Sequence, residues 1–205
     1  LKSGDSLRAG MQIADSINAA KAKLIYLVFE EFEKQLAGVA ERNHWTREKK
    51  SNCYEYKEQA DEFFYKWNTT YPGINYIVND APMPDGKQLW FRVEVEHRLF
   101  AGFCVFDPNA ESEEGHGDQV DEYDAATVKA VGHYLKISAA DHKDWWATWW
   151  YLPAGEQKPN DSVPNFKIMN DAAIALADKE CRSEFVSLCV RNIEEMVERV
   201  LAIPE

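Results

Sequence analysis

The residue types best suited to chemistry gather in three places. Trp145-Trp146-Ala147-Thr148-Trp149-Trp150-Tyr151-Leu152-Pro153 holds four of the seven tryptophans. Read as a strand, it puts Trp145, Trp149 and Tyr151 on one face and Trp146, Trp150 and Leu152 on the other. Aromatic faces stack on bases and sugars, so one face could be a nucleic-acid or carbohydrate platform. A Trp also buries a large area and needs only one hydrogen-bond partner, so core and sheet-covering roles are the commoner outcome. The second place is Arg92, Glu94 and Glu96, which share one face of an alternating strand. They form either a polar ligand cluster or, more commonly, an ion pair covering a partly exposed sheet. The third is Pro84-Asp85 followed by Glu94-Val95-Glu96. A magnesium centre of this kind needs an Asp, then an acid-x-Lys, with carboxylates on the ion and the Lys steadying the attacking water. Here Glu96 stands in the Lys position and adds negative charge instead. Pro84-Asp85-Gly86 is also a turn sequence in its own right. The pattern is read as a decoy.

Other clusters carry less. Asp107, Asn109 and Glu111 imitate the start of a calcium loop, but Ser112 replaces the turn Gly and Asp118 the closing Glu. His116 lies between two glycines and reads as a loop residue. The five histidines are scattered, and there is no nucleophile elbow or Gly-rich phosphate loop. Arg42 through Lys50 is the one basic cluster, with Trp45 inside it; it could meet phosphates, and more commonly such a run is a solvated connection. No catalytic residue, metal ligand set or cofactor follows from these patterns.

The elements that must hold these residues centre on Leu89–Phe106. Leu89 to Glu96 alternates apolar and polar, the mark of a strand with one buried face, and Leu99 to Phe106 is an almost wholly apolar strand. With His97-Arg98 as a two-residue loop, Glu96 faces Leu99 and Arg92 faces Phe103. The dry face then carries Leu89, Phe91, Val93, Val95, Phe100, Cys104 and Phe106. Ile74–Val78, after the turn Tyr71-Pro72-Gly73, adds a third antiparallel strand. Residues 5 to about 43 keep helical spacing through Leu7, Met11, Ala14, Ile17, Leu24, Val28, Phe32, Leu36 and Val39. That length exceeds a small domain, so a break near Asn18 to Lys21 or an exposed first half is expected. Further helices are expected over 57–68, over 124–136 with Asp124 as cap, and over 171–203. The last carries Cys181, Phe185, Leu188, Ile193, Met196 and Val200 as its apolar face, flanked by Val186, Val190 and Val197. It is the expected cover for the dry side of the sheet. Residues 153–166, rich in Pro and Gly, read as surface loop.

The formal charge is −12, and the stretch Asp107–Asp124 supplies eight of those negative charges with no Lys or Arg. A broadly nucleic-acid-binding surface needs a basic footprint, which this chain lacks. No apolar run is long enough to cross a membrane. Cys181 and Cys189 are too far apart on one helix to pair, and no Cys-x-x-Cys exists, so reduced thiols and a cytoplasmic setting are expected. The polar start lacks the form of a signal peptide. It also lacks a Met, and a piece of a longer protein is expected.

Taken in order, Tyr71–Tyr76, Leu89–Val95, Leu99–Phe106 and Trp149–Pro153 resemble the C-terminal region of bacterial proteins of the PD-(D/E)XK nuclease superfamily. The resemblance spans roughly 70–203 and rests on strand patterns. It implies an accessory or recognition region, with the catalytic carboxylates and Lys in an upstream nuclease-like domain and nucleic acid reached through that domain. It carries no catalytic residue onto this chain.

The expected architecture is α+β: an antiparallel sheet of four or five strands, helices packed on one face, and a long N-terminal helix. Residues 1–48 are taken as a helical extension or linker and 49–205 as the α+β domain. The extension could also pair two copies as a homodimer. Three functions follow. The first is a non-catalytic recognition domain. The second is a stand-alone ligand-binding module using Arg92, Glu94, Trp145, Trp149 and Tyr151. The third is a metal-dependent hydrolase using Glu94, Glu96 and the acidic loop.

Overall fold

A computed structural model describes residues 4–49, 55–64, 70–111, 117–137, 145–153 and 163–201. Cys53, Trp67, His116 and most of the loop expected at 153–166 fall outside these residues. Helix α1 (Gly4–Arg42) runs 39 residues without a break, about 58 Å. Of the two expectations for it, the exposed first half is the one realised. Residues from Ala22 to Ala40 bury Leu24, Ile25, Val28, Phe29, Phe32, Leu36 and Val39, while Leu7, Met11, Ile13 and Ile17 stand in solvent. Strand β1 (Trp45–Glu48) follows, so the basic cluster is not a loose connection. Its Arg47 grips both carboxylate oxygens of Glu55 at 2.9 and 2.7 Å, and Lys49 reaches Glu33 at 3.0 Å. Both cations are paired with carboxylates of the same chain, and β1 is held as an edge strand by its antiparallel pairing with β2.

Next come α2 (Tyr56–Gln59), β2 (Gly73–Val78), a single 3-10 turn at Pro84–Gly86, β3 (Gln88–Val95), β4 (Leu99–Asp107) and β5 (Asp118–Gln119). Helix α3 (Ala125–Leu135), β6 (Thr148–Tyr151), α4 (Asp171–Ala175) and α5 (Lys179–Leu201) complete the order. Asp124 caps α3 by accepting from the Thr127 N–H, as its sequence suggested. The six strands form one antiparallel sheet in the order β1-β2-β3-β4-β5, with β6 also paired to β4. That is one or two strands more than expected, because β1 and the two-residue β5 carry no alternation to read.

The hairpin differs from expectation in one decisive respect. Val95 pairs with Leu99 and Arg92 with Gly102, so the loop is Glu96-His97-Arg98, three residues rather than two. A one-residue change of register moves every side chain of β4 to the opposite face. Leu99, Ala101, Phe103 and Val105 therefore join Leu89, Phe91, Val93 and Val95 in the main core, and Phe100, Cys104 and Phe106 do not share that face. The dry face is sealed by the second half of α1 together with α5. On α5 the buried residues are Val186, Cys189, Val190, Ile193 and Val197, so the inward stripe joins the three valines read as flanking to Ile193 of the expected face and to Cys189, while Cys181 and Leu188 are exposed. Leu24 to Ala40 and Trp45, assigned by sequence to an extension, belong to this same core.

Candidate functional site

The second face of the sheet holds the unusual chemistry. Two rows of side chains cross it. One runs Asn75, Arg92, Gly102, Trp149; the next runs Gly73, Glu94, Phe100, Tyr151. The alternation of β3 places Arg92 and Glu94 side by side, two residues apart on one strand. Their ion pair is 2.5 Å long and almost wholly buried, with Arg92 1% and Glu94 5% exposed. Burial pushes the Glu94 carboxyl up to about 7, against the pull of the Arg92 guanidinium. Cys104, on the same face, is pushed up to about 12, again by burial.

Arg92 is tied outward as well. Its Nη1 donates to Gln119 Oε1 at 2.7 Å, and the Gln119 amide donates to the carbonyl of Trp145. Tyr123 places its hydroxyl between the same carbonyl, at 3.5 Å, and the Val105 N–H, which donates to it at 3.1 Å. Trp145 is thereby held at φ 66°, the left-handed region that a bulky residue rarely adopts, and its side chain stays 47% exposed. That kink explains why the even alternation expected from 145 to 152 fails. The strand proper is only Thr148–Tyr151, and Trp146 turns to the same side as Trp149. The Trp146 ring lies 5.6 Å from the Arg92 guanidinium, within cation–π range. Gly102 makes this possible. A Cβ there would meet Trp149 Cβ at 2.8 Å and Trp146 Cε3 at 2.9 Å, with the Thr148 carbonyl oxygen closer still.

The result is a half-buried aromatic strip. Phe100 sits beneath Trp146, Trp149 and Tyr151 with ring centroids at 5.2, 6.0 and 6.5 Å, all edge-on, and Trp149 meets Tyr151 at 5.2 Å. Trp150, on the opposite parity, is 1% exposed and belongs to the core. Of the five residues singled out from sequence, Trp149 and Tyr151 form the strip, Trp145 is exposed one residue before Trp146, and Arg92 and Glu94 are buried on the same face of the sheet. Gln119, Tyr123, Gly102 and Trp146 were not foreseen. Gly102, the one glycine in the two hairpin strands, was the local signal for close packing there.

The nuclease-like spacing does not converge. Asp85 sits in its turn at φ 57° with Lys87 as neighbour, and Gln88 to Glu94 alone spans about 20 Å of strand. Glu94 faces a guanidinium, whose charge repels a cation. Among the described residues no group of three or more His, Cys, Asp or Glu is placed to hold a metal ion, and no helix is long and apolar enough to cross a membrane. No protein-family model, no curated protein and no solved structure matches the chain.

Proposed function

We propose that this chain is a non-catalytic recognition domain whose ligand-facing surface is Trp145, Trp149 and Tyr151, with Trp146 as their support. The observation that carries the reading is Trp145. A bulky aromatic is kept in a strained backbone region by two side chains, Gln119 and Tyr123, and its indole is left in solvent. Strain of this kind costs about 1–3 kcal/mol and persists only where the surroundings impose it. A core role gives no reason for it, because the side chain is not in the core.

The ligand is one that offers a flat face. The acidic stretch meets this backbone: the Trp145 N–H donates to the Asp121 carbonyl at 3.4 Å, and Gln119, next in the chain to Asp118, donates to the Trp145 carbonyl. Those acids, in a chain of net charge −12, disfavour a polyanion and favour an uncharged sugar ring. An unpaired base could stack on the same strip, as a domain attached to a nuclease-like protein would require; the acids weigh against that second reading. Tryptophan emission, titrated with neutral oligosaccharides and with single-stranded oligonucleotides, tests both. Saturable quenching by sugars that disappears in Trp145→Ala and Tyr151→Ala supports the proposal. Quenching by oligonucleotides instead shifts it to the nucleic-acid reading, and a silent titration with every probe removes it.

A further inference from the structure

The projecting half of α1 continues the stripe that the other half buries. Leu7, Met11, Ala14 and Asn18 lie 18 residues, about five turns, before Ile25, Phe29, Phe32 and Leu36, and so on the same meridian of the helix. The later set packs on the sheet, whereas Leu7 and Met11 are 52% and 60% exposed. On one flank of the stripe stand Arg8 and Asp15; on the other stand Gly10 and Ile17, the latter 49% exposed. A Cβ on Gly10 would meet nothing within 4 Å.

We propose that residues 4–19 pair with the same residues of a second copy of this chain, antiparallel, about a dyad between positions 11 and 12. Charge selects this arrangement. In an antiparallel pair, like flanks face each other, and this dyad brings Arg8 level with Asp15 of the second copy, twice. A parallel pair would set the Arg8/Asp15 flank against the apolar one. The segment carries Asp5 and Asp15 against Arg8 alone, and the chain is acid overall, so an anionic membrane surface is the poorer partner. This inference does not depend on the recognition role.

Sedimentation of the whole chain should give a concentration-dependent mass approaching twice 23.6 kDa. Asp15→Arg should weaken the dimer several-fold, and the swap Arg8→Asp with Asp15→Arg should restore it, with unchanged helix content throughout because these side chains are exposed. In a background with Cys53→Ser and Cys181→Ser, Met11→Cys should cross-link to itself on oxidation. Leu7→Cys should not, because its copies would lie about 14 Å apart along the axis. A monomer at every concentration overturns the proposal. So does a dimer indifferent to Asp15→Arg, or one in which Leu7→Cys cross-links as readily as Met11→Cys, which would indicate a parallel pair.

Discussion

Gly102→Ala is the sharpest perturbation of the aromatic face. The added methyl has no open direction: the Thr148 carbonyl oxygen, Trp149 Cβ and Trp146 Cε3 all lie within 2.9 Å of its position. Two of these are backbone or first side-chain atoms of β6, which cannot swing aside, so the strand must lift from β4. Forcing one extra carbon into such a site costs about 1–3 kcal/mol. For a chain of this length about 2 kcal/mol corresponds to a fall of about 4–8 °C in Tm, or about 1 M in the urea midpoint. Gly38→Ala is the control. Gly38 lies inside α1, and a Cβ there would approach only Arg42 Nη1, at 3.4 Å, the tip of a flexible side chain one turn on. There the change should stabilise by up to about 1 kcal/mol through helix propensity. Both variants would be measured by urea unfolding with fluorescence and circular dichroism. A Gly102→Ala midpoint equal to or above that of the parent would refute the packing argument.

Trp150→Ala should cost about 3–5 kcal/mol, since the ring is fully buried, whereas Trp145→Ala should leave the unfolding midpoint within about 1 kcal/mol while abolishing ligand quenching. Glu94 binds its proton more tightly folded, at about 7, than at its ordinary 4.5. Its contribution is therefore complete below 4.5 and lost as pH rises through 7, and Glu94→Gln should flatten the stability curve in that window. Glu33 behaves oppositely. Burial works against its charge, but Lys49, Arg47, Tyr56 and Lys57 hold its carboxyl down to about 2. It stabilises above 4.5 and loses that contribution as pH falls through 2, so Glu33→Gln should unfold less steeply than the parent in acid melts.

What could be read from the sequence follows physical periodicity. The faces of β3, the capped α3 and the long α1 were legible because each repeats a burial pattern over several turns or pleats. The face assignment of β4 failed at a single point, the Glu96-His97-Arg98 loop, which has no Asn-Gly type of signal to declare its length. Apolar content favours neither parity of β4, because Leu99 to Phe106 is apolar on both faces. The site itself was half legible. Trp149 and Tyr151 obey strand parity, but Trp146 depends on the left-handed Trp145, and Gln119 reaches Arg92 across 27 positions with nothing local to announce it.

The Arg92–Glu94 pair raises the question of why charge is buried in a sheet that could have been apolar. Such pairs are often no more stabilising than well-packed hydrophobic residues of the same volume. Stability alone is therefore a poor reason for the pair. Position is a better one: Arg92 fixes Gln119, Gln119 fixes the Trp145 carbonyl, and Trp146 lies on the guanidinium. The joint change Arg92→Met with Glu94→Leu separates the two roles. It should hold the unfolding midpoint within about 1 kcal/mol of the parent or raise it. It should also free Trp145 from its strained backbone, seen as a red-shifted, more quenchable emission and loss of ring binding. Either single change should be far worse than the double, because it strands one buried charge. A double variant that is severely destabilised, or that keeps full ligand quenching, would show that the ion pair does not act by positioning the aromatic strip.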